Sequence, residues 1–243
     1  MSKKLKNQNT NFENELINSV ELNFIFDKKP INRFNIINNN LKSNDKYGII
    51  NKANELTKLK EQINSIEDCS LKNNSKKIVL GDGNINGSIM LIGEAPGPIE
   101  DNTGLTFLGE IGDLLKKMLS AINIKKENIY STYAVNFRPP EDRKPSAKEI
   151  KRYSQFLQKQ ISIIKPKLII LMGSTAMESL TGLNNKISIE RGKWKEVIVQ
   201  NTTFDVIITF NPSYLLRVPE NKKHSWEDLK KIKQKIVDLK LNI

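Results

Sequence analysis

Four short, mostly apolar runs constrain this chain more than any other feature: Ser88–Ile92, Ile129–Val135, Leu168–Met172 and Phe204–Phe210. They do not alternate strictly between apolar and polar, as a strand with one wet face would. They read as strands covered on both faces. Helical patterns lie between them. Ile111, Leu114, Leu115, Met118, Leu119 and Ile122 recur at i, i+3, i+4, i+7, i+8 and i+11, the stripe of an amphipathic helix. Ser146 and Glu149 have capping-box spacing and open a second helix on Ile150, Tyr153, Leu157, Ile161 and Ile164. Gly173-Ser174 leads into a third. Ser225 is the expected cap of a last helix built on Trp226, Leu229, Ile232, Ile236 and Leu239. Strands alternating with helices predict an α/β fold: a three-layer α/β/α sandwich around a central, mainly parallel four-stranded sheet.

Upstream of residue 66 the pattern thins. Residues 1–11 read as a disordered tail and residues 12–65 as a helical and linker extension. That extension holds a short helix over 12–26, a linker over 28–50 and a helix from Ala53 to Ile66. Residues 66–243 form the expected globular domain. The chain of 243 residues carries 39 Lys and Arg against 27 Asp and Glu, a net +12, of which +8 lies in residues 91–243. An anionic partner follows, nucleic acid first. The charge is ambiguous by itself, because 19 of the 29 Asn crowd into residues 1–90, a bias that nucleotide composition alone can produce.

One Cys and one His exclude more. A single thiol makes no internal disulfide and no four-thiolate metal site. A single His argues against His-rich metal catalysis. No run approaches the ~20 apolar residues of a membrane span, and a cytoplasmic location is expected.

The special loops all follow strand carboxyl ends, where open α/β sheets bind their ligands. The first contains Gly93-Glu94-Ala95-Pro96-Gly97, then Glu100-Asp101, Gly104 and Thr106-Phe107-Leu108-Gly109. It is no phosphate loop, since its acids would repel phosphate and no Gly-Lys-Ser/Thr follows. Carboxylates here suit a cation or an activated water. The second loop is Arg138-Pro139-Pro140-Glu141-Asp142-Arg143-Lys144-Pro145, too rich in proline for regular structure. The third is Asn211-Pro212-Ser213-Tyr214-Leu215-Leu216-Arg217, with Arg191-Gly192-Lys193-Trp194 before it.

Taken in order, these motifs resemble those of the uracil-DNA glycosylase superfamily, family-4 type, over about residues 66–240. The resemblance implies a monofunctional DNA glycosylase that flips a deaminated base, uracil first, out of DNA and hydrolyses its N-glycosidic bond. It implies Glu94, Glu100 and Asn211 as catalytic residues. Gly93, Ala95, Pro96, Gly97, Phe107 and Tyr133 would form the base pocket, with Phe107 stacking on the base. Arg138, Arg143, Lys144 and Arg217 would hold phosphates, while Pro212, Ser213, Tyr214, Leu215 and Leu216 would enter the minor groove as a wedge. The implied partner is DNA, with no membrane, no metal and no cofactor, and the chain acts as a monomer.

Three departures from the family pattern stand out. Cluster-binding members use four cysteines, whereas here Ile66, Cys69, Phe137 and Tyr153 occupy the four positions, so the ligand count excludes a cluster. Asn211 replaces the family's His, and its amide can donate a hydrogen bond but cannot move a proton. Tyr133 stands where relatives use an Asn to read the uracil edge, with Asn136 three residues on as the alternative register. His224, the sole histidine, is expected on the surface. These departures keep open a second reading, a degenerate member that binds DNA or abasic sites without turnover. A third is action on another deaminated base.

Overall fold

A computed structural model describes residues 41–67 and 69–241. The tail, the helix over 12–26 and most of the linker read from the sequence lie outside the described residues. Contacts divide the chain at residues 44 and 45 into a first unit and a second. The second holds the sheet and everything that follows.

The four strands read from the sequence are present: β2 (Ile89–Gly93), β3 (Ile129–Tyr133), β4 (Leu168–Met172) and β6 (Thr202–Thr209). They pair in parallel in the order β3-β2-β4-β6. The sheet has six strands rather than four. β1 (Asp82–Gly83) pairs antiparallel with Ser131 and Tyr130 at one edge, and β5 (Trp194–Val199) pairs antiparallel with β6 at the other. Both edges escape a search for apolar runs for physical reasons. β1 is two residues long and contains a glycine. β5 keeps a wet side, with Ile198 72% exposed, as edge strands do.

Alternate residues of each central strand feed two separate cores, which is what a three-layer sandwich requires. Met90, Ile92, Ile169, Leu171, Val206 and Ile208 pack on one face with Tyr153, Leu157 and Ile161 of helix α5 (Ala147–Ile164). Leu56, Leu59 and Ile63 of α1 (Leu41–Asn64) join that side. Ile89, Leu91, Ile129, Leu168, Ile170 and Ile207 pack on the other face. They meet Leu115 and Leu119 of α4 (Gly109–Ser120) and Leu229 and Ile232 of α9 (Lys222–Asp238).

Two helix starts differ from expectation. α1 is helical from the first described residue, Leu41, so residues 41–50 are helical rather than linker. Residues 48–51 are exposed apart from their backbone pairing, so no apolar stripe announced that turn. α9 begins at Lys222, three residues before Ser225; Ser225 is buried inside its first turns instead of capping it, and Trp226 is 44% exposed rather than core. The Ser146 cap is as expected: its Oγ accepts the Glu149 N–H, and Glu149 Oε2 accepts the Ser146 N–H at 2.7 Å. Among the described residues no helix is long and apolar enough to cross a membrane.

Candidate functional site

A cleft of about 650 Å³ opens where β2, β3, β4 and β6 end. Glu94, Glu100, Phe107, Tyr133, Arg143, Lys144, Asn211, Ser213, Tyr214 and Arg217 line it, together with Ala95, Pro96 and Gly97. The loops named from the sequence therefore converge, though they span residues 94 to 217.

One wall is aromatic. Phe107 and Tyr133 lie with ring centroids 4.9 Å apart and tilted by 41°. A Cβ on Gly93 would sit 2.7 Å from both rings, so glycine is what lets them close over the strand end. Phe107 holds a φ of +49°, rare for an aromatic residue. Several bonds impose that geometry. The Phe107 N–H donates to Tyr133 Oη at 2.9 Å, and Asp82 accepts from the Thr106 N–H and Oγ. Lys126 Nζ donates to the Thr106 carbonyl at 3.1 Å. A Cβ on Gly112 would strike the Phe107 carbonyl at 2.0 Å. Burial, and then the nearby Glu100 charge, push the Tyr133 hydroxyl well above its usual range, so it remains a neutral phenol. Asn136 faces elsewhere: it is buried, and its Nδ2 donates to the Val79 carbonyl. Tyr133, not Asn136, borders the cleft.

The two glutamates differ in their engagements. Glu100 is 3% exposed and accepts the Gly97 N–H on Oε2 at 3.1 Å and the Leu108 N–H on Oε1 at 2.8 Å. Both oxygens bind backbone and build the loop, closing the first turn of α3 (Pro98–Thr103). Asp101 does similar work, accepting the Lys76 N–H at 2.9 Å. Glu94 instead reaches across the cleft floor. Its Oε1 accepts the Thr175 N–H at 3.0 Å and the Ser174 hydroxyl at 3.3 Å, at the start of α6 (Ser174–Thr181). Its Oε2 accepts from Asn211 Nδ2 at 3.3 Å. Gly173, Ser174 and Thr175 were not singled out from the sequence. They carry no titratable group, and the only signal was a Gly-Ser pair at the end of a buried strand.

The third loop is a short helix, α8 (Pro212–Arg217), capped by Asn211 Oδ1, which accepts the Ser213 N–H at 3.0 Å. Its wedge candidates are not equivalent. Leu215 is 1% exposed and belongs to the interior, and Pro212 is buried too. Tyr214 lies 5.0 Å from the Phe210 ring, and its Oη accepts from Asn221 Nδ2. Leu216 is half-buried and is not among the residues that line the cleft. The cations divide likewise. Arg138 forms a two-bond pair with Asp142, and Arg143 forms one with Glu149. Lys144 and Arg217 have no ion pair among the described residues. Arg191 braces the fold, paired with buried Asp228, which also accepts from Thr209 Oγ1. His224 is exposed on α9 and offers Arg191 only its backbone carbonyl.

The positions of the family's cluster ligands also meet in space, and their chemistry does not fit a cluster. Cys69 Sγ lies 3.2 Å from Tyr153 Oη, and the Phe137 and Tyr153 rings contact edge-on at 6.2 Å. Ile66 packs against the same core. One thiol and two rings fill the volume that four thiolates and iron would need.

Fold and site together define an α/β/α protein with a carboxylate-floored, aromatic-walled cleft at the carboxyl ends of parallel strands. More narrowly, the chain belongs to the uracil DNA glycosylase superfamily, which residues 80–230 match. It is 32% identical over 179 residues to a type-4 uracil-DNA glycosylase of Pyrobaculum aerophilum, covering 72% of this chain and 91% of that protein. It is 35% identical over 181 residues to the type-4 enzyme of Thermotoga maritima, covering 71% and 90%. With that of Archaeoglobus fulgidus it shares 33% identity over 175 residues, covering 70% and 88%.

Proposed function

We propose that this protein is a monofunctional DNA glycosylase that flips a deaminated base, uracil foremost, into the cleft and hydrolyses its N-glycosidic bond. The observation that carries the reading is Glu94: a carboxylate on the cleft floor, held by three donors, facing an aromatic wall. Family membership and the names of the relatives support the same reaction class.

The chemistry follows from the charges involved. The bond between the sugar C1′ and the base nitrogen breaks with its electron pair leaving on the base. Positive charge then builds on the sugar and negative charge on the base. Glu94 faces the positive side, where it stabilises the cation and accepts the proton of the attacking water. Phe107 stacks on the flipped base, a contact worth about 1–3 kcal/mol per base. Glu100 keeps the Gly97–Leu108 loop closed around that base. Lys144 and Arg217 meet phosphates, and Leu216 fills the vacated stack.

The test is base release. Single- and double-stranded oligonucleotides bearing uracil, hypoxanthine or xanthine are incubated with the protein, and abasic sites are then cleaved with alkali. Uracil release is expected, and Glu94→Gln should lower it by about 10²–10⁴-fold. Release unaffected by that change would overturn the role of Glu94.

One observation favours a second reading, binding without turnover: Tyr133 borders the cleft, where the resemblance implies an Asn that reads the uracil edge. That reading predicts salt-dependent DNA binding with no release of any of the three bases.

A further inference from the structure

Asn211 stands where the family pattern puts a donor to the departing base, yet its donors are engaged inside the protein. The orientation of its amide is fixed by chemistry. The Ser213 N–H at 3.0 Å can only meet an acceptor, so that end of the amide is Oδ1. Nδ2 therefore points the other way, to Glu94 Oε2 at 3.3 Å and to the Met172 carbonyl at 3.5 Å. The residue is 7% exposed, which leaves little room for it to turn. On the opposite side Glu94 Oε1 is held by Ser174 and Thr175. Gly173 lies between, on a backbone of φ +103°, and a Cβ there would fall 2.4 Å from Glu94 Cδ. Junctions after three strands, β2, β4 and β6, thus close on one carboxylate.

We infer that Asn211 and Ser174 are positioning residues that act on the reaction through Glu94, and that Asn211 is not a donor to the departing base. The inference rests on the glycosylase reading above and names how its central residue is held. Oriented from both sides, the carboxylate cannot rotate away from the water and the sugar. A side chain misplaced by about 1 Å can cost 10²-fold in rate.

A double-mutant cycle tests it. Single-turnover release from a uracil-containing single strand is measured for the wild type, Asn211→Ala, Ser174→Ala, Glu94→Ala and the two double variants. Each outer variant is expected to lose roughly tenfold alone, and about twofold or less when Glu94 is already Ala. Ser174→Thr keeps the hydroxyl and should recover most of the loss. Equal losses in both backgrounds would overturn the inference and leave the glycosylase reading standing. No release by the wild type would overturn the glycosylase reading instead. A second measurement needs no turnover: the side-chain amide ¹⁵N resonance of Asn211 in the full chain. It should move on Glu94→Ala and hold still when excess uracil-containing single strand is added. The reverse pattern would refute the inference.

Discussion

At the scale of single residues, the site depends on atoms that are absent as much as on those present. Gly93 and Gly173 contribute no chemistry, but each leaves the space that a working side chain occupies. A methyl at Gly173 would collide with the Glu94 carboxylate on a backbone that L-residues rarely adopt. Gly173→Ala should therefore destabilise by about 1–3 kcal/mol and lower base release by about 10²-fold. Thermal denaturation and single-turnover assays read the two effects separately. A variant with full activity would show that the carboxylate tolerates displacement. Such dependence is hard to read from a sequence, because a glycine after a strand looks the same whether it serves a turn or a neighbour. The titratable residues were legible for the opposite reason. Glu94, Glu100 and Asp101 in one loop announce themselves, although the sequence did not show that Glu100 and Asp101 bind backbone amides while Glu94 reaches into the cleft.

At the scale of elements, legibility followed burial. The four central strands and the stripes of α4 and α5 could be read because both sheet faces are covered, and each residue answers to one core or the other. The edge strands and the phase of α8 could not, since many of their residues meet water and carry no pattern. Leu215 and Leu216 are adjacent and chemically identical, yet helix phase buries the first and leaves the second partly exposed. The start of α5 makes a prediction of its own. Bonds from Arg143 hold the Glu149 carboxyl at about 2, and the Ser146 N–H adds to them, against a desolvation that works the other way. A carboxyl lowered on folding adds stability that is complete above its unfolded pKa near 4.5 and disappears as pH falls through about 2. Glu149→Gln should thus cost about 1 kcal/mol at neutral pH, and the gap to the wild type should close between pH 4.5 and 2. Urea midpoints across that range measure it; a gap that persists at pH 2 would locate the loss elsewhere.

At the scale of the whole molecule, the net charge of +12 is resolved into groups with different duties. Arg138, Arg143 and Arg191 have carboxylate partners, while Lys144 and Arg217 border the cleft without one among the described residues. Lys144→Ala and Arg217→Ala should each weaken binding to single-stranded DNA across all sequences. Each should also lower the slope of log affinity against log salt by about 1. Fluorescence anisotropy at several salt concentrations gives that slope, and an unchanged slope would remove the residue from the phosphate path. The cleft floor has a consequence of another kind. The bonds that hold Glu94 join residues 80 and 117 positions apart along the chain. No fragment containing the first loop alone can assemble them, and neither can a chain whose sheet has paired in the wrong register. The carboxylate's setting is therefore a property of the complete sheet and of no smaller piece of the chain.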